Sequence, residues 1–325
     1  MLMSSLGLIF GLLLLLVSGA ALVSGSSGIA ARFGVSPAVV GLTIVAFGTS
    51  APELVVNITG AIKNQSALAF GNVVGSNIAN VGLVLGFAAL CRPVEIEGRF
   101  VRRELPLLLL ATAVIVVMSI DPVLRGSAAT LDRSDGAVML LLFCIFLYVS
   151  ILDVFGPRPG GALLTEIETN PVVQATPPPV NHWILVTVGV AGLFWGGQLT
   201  IENGVTLALE LGISSVIIGL FVVAVGTSLP ELVTSIVAAL RGESDLALGN
   251  VVGSNIFNSL FVLPLSAIVR PVDIPAGGLI DLGASLLLAA VLIPIFWIGR
   301  AKLERATGAA MLLFYLAYAV FRSAY

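Results

Sequence analysis

Apolar residues in this chain come in long runs, broken by short clusters of glycine, proline and charge. Leu6 to Val23, Leu107 to Met118 and Leu286 to Ile298 are typical. Runs of this length suit a bilayer, where only helices and closed barrels satisfy the backbone. They lack the strict alternation of barrel strands. The pattern predicts ten helices, near 5–24, 37–62, 68–91, 104–121, 135–153, 183–206, 213–240, 246–269, 276–298 and 306–323. The first run has no Lys or Arg before Arg32 and is too long for a typical signal-peptide core, so it reads as a mature span. Between the fifth and sixth helices, Gly156 to Val180 is polar and rich in proline, including Pro177, Pro178 and Pro179. It predicts a linker over 156–182 that joins two five-helix halves, 1–155 and 183–325.

The halves are related. A shift of 178 positions lays Gly41–Ile96 on Gly219–Ile274 without a gap, and about 32 of the 56 aligned positions are identical. GTSAPELV (Gly48–Val55) falls on GTSLPELV (Gly226–Val233). GNVVGSNIAN (Gly71–Asn80) falls on GNVVGSNIFN (Gly249–Asn258), and RPVEI at Arg92 returns as RPVDI at Arg270. Five spans per half is an odd number, so the second half enters the membrane from the opposite side. The repeats are inverted, as in many secondary transporters.

Composition agrees with this class. The chain has 325 residues, 58% hydrophobic and 10% charged, against roughly 25% charged in soluble domains. The net charge of −3 gives no reason to expect nucleic acid, and membrane lipid is the partner the pattern calls for; no obligate protein partner is expected. Loops on the linker side carry Arg32, Arg92, Arg99, Arg102, Arg103, Arg158, Arg241, Arg300, Lys302 and Arg305. The other side carries Lys63, Arg125, Arg133, Arg270 and Arg322. This bias places the linker in the cytoplasm and both termini outside a cell (inner) membrane. Cys91 and Cys144 read as packing residues, and His182, beside Trp183, as an interfacial residue. Glu104, Glu202 and Asp281 fall near span ends, where a solvated or paired state is expected. Arg99, Arg102 and Arg103 form a basic cluster suited to anionic headgroups.

The chemistry lies in the repeated motifs. Glu53 and Glu231 are flanked by apolar sequence on both sides, and a carboxylate at membrane depth costs roughly 2.5–3.5 kcal/mol on insertion scales. A protonated glutamate bonded to a neighbouring helix is the bland alternative, but it does not explain the duplication beside the same polar cluster. Ala46, Thr49, Ser50 and Glu53 share one helical face, and Ala224, Thr227, Ser228 and Glu231 repeat it. Pro52 and Pro230 deprive the carbonyls of Gly48 and Gly226 of a helical partner, so each helix is expected to kink or open there. Asn72, Ser76 and Asn80, with Asn250, Ser254 and Asn258, form a facing stripe at four-residue spacing. Gly71, Gly75, Gly249 and Gly253 permit close helix approach. This donor set of carboxylate, hydroxyl, amide and carbonyl oxygen suits Na⁺, Ca²⁺ or Mg²⁺, and two facing carboxylates favour a divalent ion or several monovalent ones.

GTSAPE and GTSLPE, each followed by GNVVGSN, closely resemble the alpha repeats of the cation/calcium antiporter superfamily, nearest to its prokaryotic sodium/calcium exchangers. The resemblance spans all ten predicted helices. It implies an all-α polytopic membrane fold of ten transmembrane helices in two inverted repeats, and exchange of Na⁺ for Ca²⁺ without a cofactor or catalytic chemistry. It implies Glu53 and Glu231 as shared central ligands, with calcium also taking carbonyl oxygens from Thr49 and Thr227. One flanking sodium site would use Ala46, Ser50 and Ser254, and the other Ala224, Ser228 and Ser76. Asn80 and Asn258 complete the middle. The glycine-rich first and sixth spans would slide across the remaining eight. Some relatives have an aspartate where this chain has Asn258, which leaves two ionisable carboxylates here and keeps H⁺/Ca²⁺ exchange as an alternative. A cation channel is a further alternative, and it needs no inverted duplication.

Overall fold

A computed structural model describes residues 2–63, 66–95, 98–120, 129–155, 181–212, 224–298 and 302–324. The described chain is helical throughout, apart from two short β ladders. In order the helices are α1 (Leu2–Phe33), α2 (Pro37–Thr49), α3 (Ala51–Ile62), α4 (66–91), α5 (Gly98–Ser119), α6 (Arg133–Phe155), α7 (His182–Glu210), α8 (Ala224–Thr227), α9 (Leu229–Arg241), α10 (Ser244–Val269), α11 (Gly278–Ile298) and α12 (Arg305–Ala324). By length and hydropathy six of the described helices can cross a bilayer, and α2 with α3, bent by 45°, makes a seventh as one broken span. Helices α5 and α12, of 22 and 20 residues, coincide with predicted spans but fall outside that apolar class. Of the predicted linker over 156–182, residues 156–180 lie outside the described residues, as does the start of the predicted seventh span (213–223), while His182 already opens α7.

The first span is longer than its apolar run suggests. At 32 residues α1 is about 48 Å long, more than the ~30 Å hydrocarbon layer, so it must tilt or project. The serine- and glycine-rich stretch after Val23 does not end it, because those small residues are packing surface. A Cβ on Gly25 would lie 2.8 Å from the His182 carbonyl, and one on Gly11 2.9 Å from the Thr200 amide nitrogen. From the other side, a Cβ on Gly189 would lie 2.7 Å from the Leu22 amide nitrogen. Helices α1 and α7 therefore run antiparallel in close backbone contact. The helix ends only at Gly34, whose φ of 61° is left-handed.

The centre is formed by α4 and α10. In each, 83% of the apolar window is buried, against 33% for α1 and α7, which mark the periphery. Both central helices contain a π-helical segment, Asn80–Leu85 and Asn258–Val262, at equivalent repeat positions. A third, Gly41–Val45, lies in α2. Such wide turns are uncommon and concentrate at functional sites.

The halves interlock. Gly82 and Gly86 of α4 receive Tyr315 and Leu312 of α12, while Gly136 of α6 sits against the Pro264 carbonyl of α10. Strand β1 (Val94–Glu95) pairs antiparallel with β4 (Lys302–Leu303), and β2 (Thr130–Leu131) with β3 (Val272–Asp273). The duplicated RPVEI and RPVDI segments thus each form a ladder with the other half, at opposite ends of the packed pair α5 and α11.

Several side chains settle at the rims. Asp281 accepts from Tyr318 at 2.8 Å and pairs with Arg322 at 2.7 Å, a latch between α11 and α12. Glu104 is buried and pairs with Arg103 at 3.5 Å, while Glu202 is exposed. Lys302 stands 2.7 Å from Glu95 and holds that carboxyl below its usual range, an exposed pair worth little to stability. Cys91 and Cys144 are free and exposed. They are not the packing residues expected, because their helix faces point outward from the bundle.

Candidate functional site

The two GTS-x-PE motifs become helix breaks. Ser50, with φ −85° and ψ 6°, separates α2 from α3, and Ser228, with φ −90° and ψ 8°, separates α8 from α9. Pro52 and Pro230 then occupy the first turn of a new helix, a position that needs no amide hydrogen. Glu53 and Glu231 follow in the same turn. There the unpaired amides and the positive end of the helix dipole favour a negative group. The break also leaves carbonyls at the end of the preceding segment, and Pro52 has no N–H to offer the Gly48 carbonyl. Each motif therefore sets a helix's carbonyl end beside the carboxylate that opens the next helix. The sequence placed Ala46, Thr49, Ser50 and Glu53 on one continuous face; in the structure that face is divided at Ser50.

Glu53 and Glu231 are both fully buried. Around Glu231 the halves share hydrogen bonds. Ser50 Oγ donates to Glu231 Oε1 at 3.0 Å, and Ser254 Oγ lies at 3.5 Å from the same oxygen. Thr49 Oγ1 donates to Asn250 Oδ1 at 3.0 Å and lies 3.3 Å from Ser254 Oγ. Asn250 Nδ2 in turn reaches Ser235 Oγ at 3.0 Å, as Asn72 Nδ2 reaches the equivalent Asn57 Oδ1 at 2.9 Å. Ala46 is buried, and its carbonyl accepts from the Ser50 amide at 3.0 Å.

Glu53 is less well held. Among the described residues, Ser76 and Ser228, the repeat equivalents of Ser254 and Ser50, are buried with hydroxyls that make no hydrogen bond of good geometry, and neither Glu53 oxygen accepts one, although Ser76 lies near enough to act on the carboxyl. Glu231 Oε2, Asn80 Oδ1 and both polar atoms of Asn258 are likewise buried and unpartnered. Leaving one buried polar atom unmatched costs about 1–3 kcal/mol, and more for a charged group. The donor chemistry of these oxygens fits a hard cation. Among the described residues no three His, Cys, Asp or Glu side chains come together as a metal cluster; the candidate ligands are two carboxylates with amides and hydroxyls. Thr227 is buried at the end of α8. Ala224 is helical, and its side chain lies outside the described residues.

The structure adds three residues that the stripe argument passed over. Asn255 Oδ1 accepts from Asn80 Nδ2 at 3.0 Å, and its own Nδ2 donates to the Asn77 carbonyl at 3.0 Å. Asn80 is thereby held with Oδ1 free. The equivalent anchor for Asn258 would be Asn77, but Asn77 Nδ2 donates to Ser259 Oγ at 2.9 Å. Ser259 stands where the first repeat has Val81, so one substitution between the repeats diverts the anchor. The signal was present: Asn77 and Asn255 are duplicated within GNVVGSN, one position beside the stripe.

The sodium/calcium exchanger protein family model matches residues 3–152 and 181–324. The putative antiporter CaxA of Alkalimonas amylolytica is 37% identical over 324 residues, 98% of each chain. The sodium/calcium exchanger MaX1 of Methanosarcina acetivorans is 30% identical, with 96% of each chain covered. Among solved structures, the sodium-calcium exchanger NCX_Mj superposes with a TM-score of 0.81 at 29% identity, over 97% of both chains.

Proposed function

The chain belongs to the sodium/calcium exchanger protein family, and from that premise we propose that it is a secondary active antiporter exchanging Na⁺ for Ca²⁺ at a two-glutamate site near the bilayer midplane. The family is one of transporters, not enzymes. One observation carries the site. The helix breaks of the two halves meet, with Ser50 of one donating to Glu231 of the other, and both Glu53 oxygens, Glu231 Oε2, Asn80 Oδ1 and Asn258 Oδ1 are buried without a hydrogen bond among the described residues. Glu53 and Glu231 hold Ca²⁺ together with carbonyl oxygens of Thr49 and Thr227. Sodium ions take the flanking positions built from Ala46, Ser50 and Ser254 and from Ala224, Ser228 and Ser76, with Asn80 and Asn258 between. The ten predicted helices form two inverted five-helix repeats, over 1–155 and 183–325, joined by a cytoplasmic linker. The paired α1 and α7 shift across the rest to expose the site to each side in turn. Their glycine contacts and peripheral position support this reading.

Vesicles loaded with Na⁺ and diluted into Na⁺-free buffer are expected to accumulate radioactive calcium. Uptake that follows a pH gradient and ignores Na⁺ would replace the sodium reading with proton exchange. An ohmic Ca²⁺ current without counter-ion would replace it with a channel. Within this site Asn255 acts as a positioning residue. Asn255→Leu removes the anchor of Asn80 and is expected to weaken Ca²⁺ binding roughly tenfold, about the worth of one buried hydrogen bond. Calorimetric titration checks it, and an unchanged affinity would show that Asn80 needs no anchor.

A further inference from the structure

The basic cluster at the start of α5 takes no part in the exchange site, yet it stands at the mouth of a second feature. Helices α5 and α6 both pack on α10 and leave between them a groove of about 410 Å³. Arg102 and Arg103 form its mouth, Leu110 and Ile145 its lipid-facing rims, and Ile256 and Leu260 its floor. Leu110 and Ile145 are exposed, so the groove opens sideways into the hydrocarbon. Arg102 is exposed, and no acidic side chain among the described residues pairs with it, while Arg103 is braced by Glu104 at 3.5 Å. From Arg102 to Leu110 the groove follows the helix for about 12 Å, enough for the upper part of an acyl chain.

We propose that this groove binds an anionic glycerophospholipid of the linker-side leaflet. The phosphate engages Arg102 and Arg103, and one acyl chain lies between α5 and α6 against Ile256 and Leu260. A charged head over an apolar slot matches this ligand class and no water-soluble anion, which would leave the slot unfilled. The contrast with a larger groove of about 780 Å³ between α2, α6 and α7 is instructive. That groove has no charged residue in its lining, so nothing there selects among lipids. The floor residues stand two positions on either side of Asn258, at the start of its π-helical segment. A chain held there braces the wall that carries Asn258; this coupling, unlike the binding itself, rests on the proposed exchange function.

The test uses the full chain in nanodiscs containing phosphatidylglycerol and phosphatidylcholine with identical acyl chains. After extraction, native mass spectrometry counts retained lipid. The wild type is expected to retain phosphatidylglycerol about tenfold over phosphatidylcholine, in keeping with two basic residues at an interface. Arg102→Gln with Arg103→Gln should lose that preference. Leu110→Trp, which fills the groove at an exposed position, should reduce retention of the lipid with both arginines intact. Equal retention of the two lipids by the wild type, or an undiminished preference in the double glutamine variant, would overturn the site. Calcium uptake in proteoliposomes of each composition is the second arm, with several-fold faster exchange expected in phosphatidylglycerol. Selective retention without Na⁺-dependent uptake in either lipid supports the lipid site and counts against the exchange reading instead.

Discussion

Glu53→Gln and Glu231→Gln are each expected to abolish exchange, lowering Na⁺-dependent calcium uptake by about 100-fold or more. Both carboxylates are fully buried, and a divalent ion facing only one of them keeps an uncompensated charge in low dielectric, which costs several kcal/mol. About 2.8 kcal/mol already corresponds to two decades. The two variants should nevertheless differ in stability. Glu231 Oε1 is supported by Ser50 at 3.0 Å, whereas among the described residues neither Glu53 oxygen accepts a hydrogen bond of good geometry. Neutralising Glu53 therefore relieves the larger burial cost. In chelator and Na⁺-free buffer, Glu53→Gln should melt at a higher temperature than the wild type, and higher than Glu231→Gln. Calorimetry on both variants tests the first part: wild-type calcium binding in both would place the site elsewhere. Thermal unfolding tests the second, and equal melting temperatures would mean that Glu53 finds partners in solution.

The separation of these two glutamates in environment was not legible in the sequence, although their equivalence was. The repeat alignment marks Glu53 and Glu231 as mates, and proline at the preceding position marks a helix break. Both follow from local chemistry. What distinguishes them depends on how α2, α3, α9 and α10 rotate against one another, and that is a matter of packing. The same holds for Asn77 and Asn255. Their duplication is visible, but the diversion of Asn77 to Ser259 requires two helices from different halves to cross at one level. The π-helical segments at Asn80 and Asn258 had no periodic signature, because one widened turn barely changes an apolar pattern. The extension of α1 to Phe33 was hidden for a different reason: serine and glycine end a helix in water, yet between two membrane helices they allow contact.

Gly253→Ala is expected to be the most damaging single-methyl change in the repeated motifs. By intrinsic propensity it should help, since alanine in a helix interior is favoured over glycine by roughly 0.5–1 kcal/mol. The packing reverses the sign. A Cβ at Gly253 would lie 2.6 Å from the Leu42 carbonyl oxygen and 2.7 Å from both Leu42 Cα and Ala46 Cβ. Two of these three atoms are backbone and none belongs to a flexible side-chain end, so α2 itself must move away from α10. That helix carries Thr49, whose bonds to Asn250 at 3.0 Å and to Ser254 at 3.3 Å close the wall beside Glu231. Overpacking of this kind costs about 1–3 kcal/mol, and the displaced wall should slow exchange by at least roughly tenfold in addition. Gly197→Ala is the control. The nearest atom to its added Cβ is Pro230 Cγ at 3.8 Å, an ordinary contact, so stability should equal or slightly exceed the wild type through the propensity gain and uptake should match it. Thermal unfolding and Na⁺-driven calcium uptake on both variants decide the matter. If Gly253→Ala retained wild-type stability and flux, α2 and α10 would have room to separate without disturbing the site, and the close approach that Gly249 and Gly253 permit would not be what holds the ligand wall in place.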